Sequence, residues 1–335
     1  MRRGRLQAGK LPPPLLRQLL RLRGAPDPRV VVGPQFGEDA AVVDFGAQYL
    51  VLKSDPVTFT ADEIGWYAVH VNANDVAVMG ARPAWFQASI IVPVGTTAVA
   101  VGQIVRDIHR AARGLGVAVT GGHTEVSPAV RQPVVAGDMH GLVARGRLVR
   151  SSGAHAGDAV VLTKWAGIEG TAIIARTFAA DVRRLLGPSA QRVAARFHHR
   201  PGISVVPAAL LAAAAGATAM HDPTEGGVAA ALFEMANASR KRFAIDLDRV
   251  PVLDATARIC ARFGLNPLGL VGSGALLVTL PPARLPRLLR ALRGRRVAAA
   301  VIGAVETGAG VRARIGGKHT PFLWSERDEL TKLLR

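Results

Sequence analysis

The sequence of 335 residues contains a single cysteine, Cys260. One cysteine can form neither an internal disulfide framework nor a thiolate metal cluster, and the setting ARICARFGL predicts an unreactive core thiol on an apolar helix face. No apolar run reaches the roughly eighteen residues that a membrane span needs, and the N-terminal stretch lacks the features of a signal peptide. These absences predict a cytoplasmic protein.

Acidic residues are also scarce. The chain has 24 Asp and Glu residues and 42 Lys and Arg residues, which gives a net charge of +18. Such an excess is typical of nucleic-acid binding. The arginines, however, concentrate in the N-terminal arm and in segments 181–200 and 283–296, where their spacing suits the solvated faces of amphipathic helices. Aromatic residues make up 5% of the chain, and it has no recognition motif. A nucleic-acid partner is therefore disfavoured.

Hydrophobic residues form 49% of the chain, which is typical of a well-cored globular protein. Alternating strand and helix patterns restart near residue 150, so the sequence predicts a mixed α/β, or α+β, protein of two domains without a long linker. The predicted parts are a basic arm (1–29), an N-terminal domain (30–148), a C-terminal domain (149–315) and a tail (316–335).

Five short stretches place acidic residues beside glycines, turns or helix ends. Carboxylate oxygens are the ligands that Mg²⁺ prefers, and glycine pairs let backbone N–H groups approach phosphates. No P-loop is present, and each stretch alone is also common turn chemistry. We predict GGHTEV to be a loop after a strand, and TEGGVAAAL to lead into a helix. The stretches are FGEDAAVV (Glu38, Asp39), KSDPV (Asp55), NANDVAVMGA (Asp75), GGHTEV (His123, Glu125) and HDPTEGG (Asp222, Glu225).

Asp75 lies within a predicted helix over residues 61–79, which begins at the capping box Thr60–Glu63 and ends at Gly80. Its neighbours are mostly apolar, and Asn72, three residues earlier, shares its face. A buried carboxylate needs a partner, since desolvating it alone costs several kcal/mol. From the residues alone, Asp75 is a structural ion-pair member, a protonated acid or a metal ligand.

The ordered set GEDAA, SDPV, VNANDVAVMGARP, GGHTE and DPTEGG, over about residues 30–310, resembles the aminoimidazole ribonucleotide (AIR) synthetase superfamily. That superfamily includes selenophosphate synthetase, thiamine monophosphate kinase and a hydrogenase-maturation dehydratase. The resemblance implies two α/β domains and a homodimer formed through the N-terminal mixed-sheet domain. It also implies ATP and Mg²⁺ bound at the dimer interface, with the γ-phosphate transferred to an oxygen or similar nucleophile of a small-molecule substrate.

The resemblance assigns candidate site residues position by position, while catalytic side chains stay unassigned. For Asp75, the resemblance favours the metal-ligand interpretation over the structural ion pair. The implied metal ligands are Glu38, Asp39, Asp55, Asp75, Glu125 and Asp222. The implied nucleotide-binding residues are Asp39, Asp55, Asn72, Asp75, Gly121, Gly122, His123, Thr124, Gly226 and Gly227.

Some positions depart from the family pattern. Glu38 replaces an aspartate, Glu225 replaces the usual arginine of Asp-Pro-Thr-Arg-Gly-Gly, and the thiols used by the dehydratase and by selenophosphate synthetase have no counterpart. Two hypotheses follow. The chain is an ATP- and Mg²⁺-dependent enzyme acting on an unidentified amide-like or other small molecule, or a non-catalytic nucleotide-binding or partner-binding protein that keeps the fold.

The basic arm carries a further prediction. Residues 1–24 form a lid over the nucleotide, with a short helix after Pro14 whose Arg17, Arg21 and Arg23 face anions, and Lys10 or Lys53 neutralises transferred charge. A solvated basic tail explains the same residues without any function.

Overall fold

The computed structural model describes residues 10–22, 24–58, 60–325 and 327–333. The chain divides into two compact units. The N-terminal unit comprises residues 27–33 and 39–148, and the C-terminal unit comprises the described residues before 27, residues 34–38 and those from 149 onward. Within the described ranges, no helix combines the length and apolarity that a bilayer crossing requires.

The N-terminal unit is a six-stranded mixed sheet with two helices. Its strands are antiparallel except for the last pair, β4 and β5, which run parallel. In sheet order the strands are β1 (Val30–Val32), β2 (Ala41–Phe45), β3 (Gln48–Val57), β6 (Val134–Ala144), β4 (Arg82–Val92) and β5 (Ala118–Val126). The helices are α2 (Ile64–Val78) and α3 (Ala98–Leu115).

The two helices test the predicted helix boundaries. For α3, the Thr97 side chain accepts a hydrogen bond from the Ala100 amide at 3.2 Å, and Gly116 ends the helix with φ 70°, as the sequence predicts. The predicted start of α2 was wrong. The Thr60 hydroxyl donates to the Asp62 carbonyl at 3.3 Å instead of capping, and the chain enters α2 through Glu63 at φ 51°.

The stretch GGHTEV was predicted to be a loop and is strand instead. It continues β5 along the edge of the sheet, where Gly122 pairs with Ala88 of β4. A Cβ at Gly122 would lie 2.3 Å from the Ala88 carbonyl oxygen, so the strands approach too closely for a side chain. The glycine pair therefore permits strand packing where composition alone indicated a turn.

The C-terminal unit is a seven-stranded mixed sheet whose strands are antiparallel except for the parallel pair β9 and β12. In sheet order these are β13 (Lys318–Thr320), β12 (Gly310–Ile315), β9 (Arg242–Asp246), β11 (Ala299–Glu306), β7 (Ala159–Thr163), β10 (Leu276–Leu280) and β8 (Ala219–His221). Its helices are α1 (Pro13–Leu19), α4 (Ile168–Thr177), α5 (Ala179–Leu186), α6 (Pro188–Ala194), α7 (Val206–Ala215), α8 (Gly227–Ser239), α9 (Asp254–Phe263) and α10 (Leu285–Gly294).

Helix α8 forms the centre of the C-terminal core. Leu232 and Met235 of α8 are fully buried with Phe243, Leu277 and Ile302 from three strands. The glycines before α8 allow a sharp entry, since Gly226 has φ 79° and Gly227 has φ 60°. The predicted order of strand, glycine loop and helix is confirmed here, as is the two-domain α+β fold.

Candidate functional site

A lysine and two aspartates meet between β3 and α2 in the N-terminal unit. The Lys53 ammonium lies 3.3 Å from Asp75 Oδ2 and 3.7 Å from Asp55 Oδ2. Asp75 is only 4% exposed, whereas the Asp55 side chain is 38% exposed. The acid within the apolar helix thus has a cationic neighbour, and the pair faces a second carboxylate at the end of β3.

Asn72 joins α2 to the same strand, one turn before Asp75. Its side-chain amide donates to the Asp55 carbonyl at 3.1 Å and to the Ala68 carbonyl at 2.8 Å. A Cβ at Gly137, which pairs with Asp55, would lie 2.5 Å from the Asn72 amide nitrogen, so glycine there admits the amide. The Asn72 Oδ1 atom is buried and accepts no hydrogen bond within the described part of the chain.

These residues fit a divalent cation that also binds phosphate. Asp55, Asp75 and the Asn72 oxygen are hard oxygen donors, and both carboxylates lie within 4 Å of one positive charge. Mg²⁺ prefers such ligands and usually keeps several waters. The Lys53 ammonium compensates the negative charge of these two carboxylates. Their oxygen atoms are of the type that a magnesium site uses, and metal binding here stays a prediction.

The GGHTE residues lie along the exposed edge strand of the same unit. His123 Nε2 is 3.1 Å from Glu125 Oε2, and both side chains are exposed. The structure thus brings these two predicted residues together. Thr124 is exposed beside them. Their roles in phosphate or metal binding remain predictions.

Glu38 is held by hydrogen bonds in the C-terminal unit. Its Oε1 accepts from the Ser152 hydroxyl at 2.5 Å and from Arg150 Nε at 3.2 Å, and its Oε2 accepts from the Ser151 amide at 3.1 Å. Its side chain is 2% exposed. Because both oxygens are occupied, this geometry suits fixing the turn before half-buried Asp39 better than ligating metal.

The predicted phosphate loop follows β8. Asp222 is 1% exposed, and the next glycines use their amides within the chain. The Gly226 amide donates to Asp328 Oδ2 at 2.7 Å, and the Gly227 amide donates to the Thr224 carbonyl at 3.0 Å. Phosphate binding by the two glycines stays a prediction, and any anion using the Gly226 amide would compete with Asp328.

Sequence reasoning missed Asp328 and Glu169, two buried acids of the C-terminal unit. Burial raises the pKa of Asp328 to about 6, although the Leu330, Gly226 and Val271 amides donate to it. Burial also raises the pKa of Glu169 to about 7, although a hydrogen bond with Ser273 lowers that pKa in part. Glu169 does stand in the glycine-led segment GIEGTA, but no sequence signal pairs Gly226 with a residue 102 positions later.

The described part of the N-terminal arm packs within the C-terminal unit. The Lys10 amide donates to Glu225 Oε2 at 3.0 Å, and the Lys10 ammonium lies 3.8 Å from Glu234 Oε1. A short helix forms as predicted, and Arg17 stacks over the Phe36 ring at 4.4 Å. The predicted contributions of residues 1–9 and Arg23 lie outside the described residues.

Cys260 is buried, as predicted. It is 1% exposed, and burial raises the pKa of its thiol to about 12. A thiolate is the nucleophilic form of cysteine, so this side chain is unsuited to carrying a transferred group.

Comparison with known proteins gives the family. Residues 37–143 match the AIR synthase related protein, N-terminal domain, and residues 155–316 match the AIR synthase related protein, C-terminal domain. These matches cover most of the chain, which belongs to the AIR synthase related family.

Two relatives and one solved structure are similar to the chain over most of its length. The chain is 32% identical to carbamoyl dehydratase HypE of Rhodobacter capsulatus, over 83% of this chain and 83% of that protein. It is 30% identical to a selenide, water dikinase of Geobacter metallireducens, over 83% of this chain and 87% of the relative. The structure of the hydrogenase maturation protein HypE in complex with ATP matches with TM-score 0.69 and 26% identity, covering 87% of this chain and 89% of HypE.

Proposed function

We propose that this chain is an ATP- and Mg²⁺-dependent enzyme that transfers the γ-phosphate of ATP to an oxygen, or a similar nucleophile, of a small amide-like substrate. The observation that carries the proposal is the Lys53, Asp55 and Asp75 cluster beside the buried Asn72 oxygen. Family membership and the ATP complex of a HypE protein support it.

Positioning and electrostatics carry most of phosphoryl transfer, so the proposal needs no protein nucleophile. Asp55 and Asp75 would hold the metal with Asn72, and bound Mg²⁺ would neutralise phosphate charge. With Asp55 and Asp75 engaged as ligands, the Lys53 ammonium would be available to the transferred phosphoryl group. Asp39 and Asp222 are further candidate ligands by resemblance.

The substrate class rests on the relatives and on the thiol. A carbamoyl dehydratase acts on an amide-like group, which favours an amide oxygen as the phosphorylated atom. The buried Cys260, whose pKa is raised to about 12, argues against a step in which the chain's own thiol carries the substrate. We therefore place the acceptor oxygen on a free small molecule.

The alternative is a non-catalytic nucleotide-binding protein. The Asp328 carboxylate on the Gly226 amide favours it, because that amide is then engaged within the chain. Glu225 in the adjacent position adds negative charge where phosphate would approach.

The deciding experiment is ATP hydrolysis by the purified full chain, with pools of amide and carboxylate metabolites, compared with Asp75→Asn. Hydrolysis that needs Mg²⁺, rises with one pool and falls at least tenfold in the variant is the expected result. Tight Mg-ATP binding without turnover above the variant would favour the alternative. No ATP binding by the wild-type chain would reject both.

A further inference from the structure

Glu234, in the middle of α8, joins parts of the C-terminal unit that are far apart in sequence. Its Oε2 lies 2.8 Å from His221 Nε2, and its Oε1 lies 3.8 Å from the Lys10 ammonium. A Cβ at Gly37 would lie 3.3 Å from the Glu234 carbonyl oxygen, so the turn before Asp39 also rests on this helix position. None of these contacts follows from helix periodicity.

The charge of Glu234 is compensated by these contacts. Burial alone would raise its pKa, but Lys10 and then His221 outweigh burial and lower the pKa to about 2. The side chain is 16% exposed. Loss of this carboxylate would remove an ion pair from Lys10 and a hydrogen bond from His221.

Lys10 is held at both its backbone and its side chain. The amide donates to Glu225, which precedes α8, while the ammonium points to Glu234. The Lys10 side chain is nevertheless 42% exposed, so an incoming anion can reach it. On the other side of Glu234, His221 directly precedes Asp222, a predicted metal ligand.

We propose that Glu234 is a positioning residue, which fixes the Lys10 ammonium and the ring of His221, the residue that precedes the loop 222–227. Its catalytic consequence rests on the proposed function. Glu234 does not touch the reacting atoms in this scheme. It acts by placing a phosphate-neutralising cation and by setting the direction from which Asp222 enters its site.

The test uses Glu234→Gln in the full chain. Trypsin cleavage after Lys10, measured by mass spectrometry without nucleotide, should become about tenfold faster because the Lys10 ammonium loses its contact with the Glu234 carboxylate. Glu306→Gln is the matched control, since Glu306 pairs with Arg312 at 2.5 Å in the same unit and makes no hydrogen bond or ion pair with the described residues of the arm. Its cleavage rate after Lys10 should equal that of the wild type.

Two further readouts separate positioning from stability. In Glu234→Gln, kcat should fall at least tenfold while the Kd for Mg-ATP changes less than about threefold. Glu234→Asp keeps the charge and should restore most of the protection of Lys10 and most of kcat. If Glu234→Gln lowers the melting temperature, the recovery of kcat and of Lys10 protection in Glu234→Asp distinguishes the loss of a positioned charge from a general loss of folding.

Three outcomes would overturn the inference: unchanged cleavage after Lys10 in Glu234→Gln, faster cleavage with unchanged kcat, or failure of Glu234→Asp to restore protection in a folded chain. If the wild-type chain hydrolyses no ATP, the proposed function fails alone. The cleavage rates, with the NMR shift of the His221 Nε2 nitrogen, then still decide whether Glu234 fixes both side chains.

Discussion

The Lys53 ammonium lies 3.3 Å from the carboxylate of Asp75, which is buried in an otherwise apolar helix. A structural ion pair and a metal site would both supply the positive charge that Asp75 requires, the first through the Lys53 ammonium and the second through a bound cation. The two arrangements differ in whether the affinity for Mg-ATP depends on the Asp75 carboxylate.

We expect Asp75→Asn to weaken Mg-ATP binding at least tenfold while the far-UV circular dichroism stays unchanged, because the amide keeps the shape and loses the ligand charge. Isothermal titration calorimetry measures the change. Asp138→Asn is the control, because Asp138 lies on β6 of the same unit with its side chain 53% exposed. Equal affinities in Asp75→Asn and the wild type would return Asp75 to a structural ion pair.

We expect Lys53→Met to lower the free energy of unfolding by about 3 kcal/mol, since the buried Asp75 carboxylate loses the Lys53 ammonium. Urea denaturation measures this loss. The double variant Lys53→Met with Asp75→Asn should recover most of it, because neither charge then remains. A double variant as unstable as the sum of the two single variants would show that the pair is not coupled.

We expect Glu169 to make the stability of the C-terminal unit depend on pH. Its pKa is about 7 in the folded chain, raised by burial, and 4.5 is its ordinary value. Between these values the folded state binds more protons than the unfolded state, so stability is lost as the pH rises from about 5 to 8. The loss from this group is about 3 kcal/mol at most.

Glu169→Gln should flatten this dependence, leaving the smaller loss from Asp328, whose pKa of about 6 is also raised by burial. Chemical denaturation at several pH values supplies the test. Asp328, Arg176 and Glu225 act on Glu169, so Glu306→Gln, outside this group, serves as the control. A profile as steep in Glu169→Gln as in the wild type would contradict the assignment.

The homodimer predicted from the N-terminal strands can be tested at two exposed apolar side chains of their sheet, one on the edge strand β5 and one on its neighbour β4. Val126, at the end of β5, is 58% exposed, and Trp85 of β4 is 38% exposed. We expect the wild type to sediment with the mass of two chains at micromolar concentration, and Trp85→Glu with Val126→Glu to sediment as one. A wild-type monomer would reject the dimer.

Local signals were sufficient where one side chain or glycine decides a boundary. Thr97 and Gly116 delimit α3, and the glycines before α8 start that helix, because caps and positive φ angles act within a few residues. The capping box before α2 failed because the left-handed conformation of Glu63 turns the chain before the helix begins. The local sequence before α2 is compatible with more than one backbone conformation.

The proximity of the candidate site residues could be predicted from the sequence, but most of their contacts could not. Asp55, Asn72 and Asp75 lie together between one helix and one strand end, and their role as metal ligands stays a prediction. The contacts of Glu38 with Ser152, and of Asp328 with Gly226, join residues more than a hundred positions apart. Such pairs depend on tertiary packing, which no window of sequence contains.

The burial of Cys260, which also raises the pKa of its thiol to about 12, predicts that the native chain does not react with thiol reagents at neutral pH. A cysteine introduced elsewhere would then be the single point of attachment for a spin label or fluorophore, with no native cysteine to remove first. Two cysteines introduced together, one at an exposed position of each unit and outside the candidate site, would report the distance between the units before and after nucleotide is added.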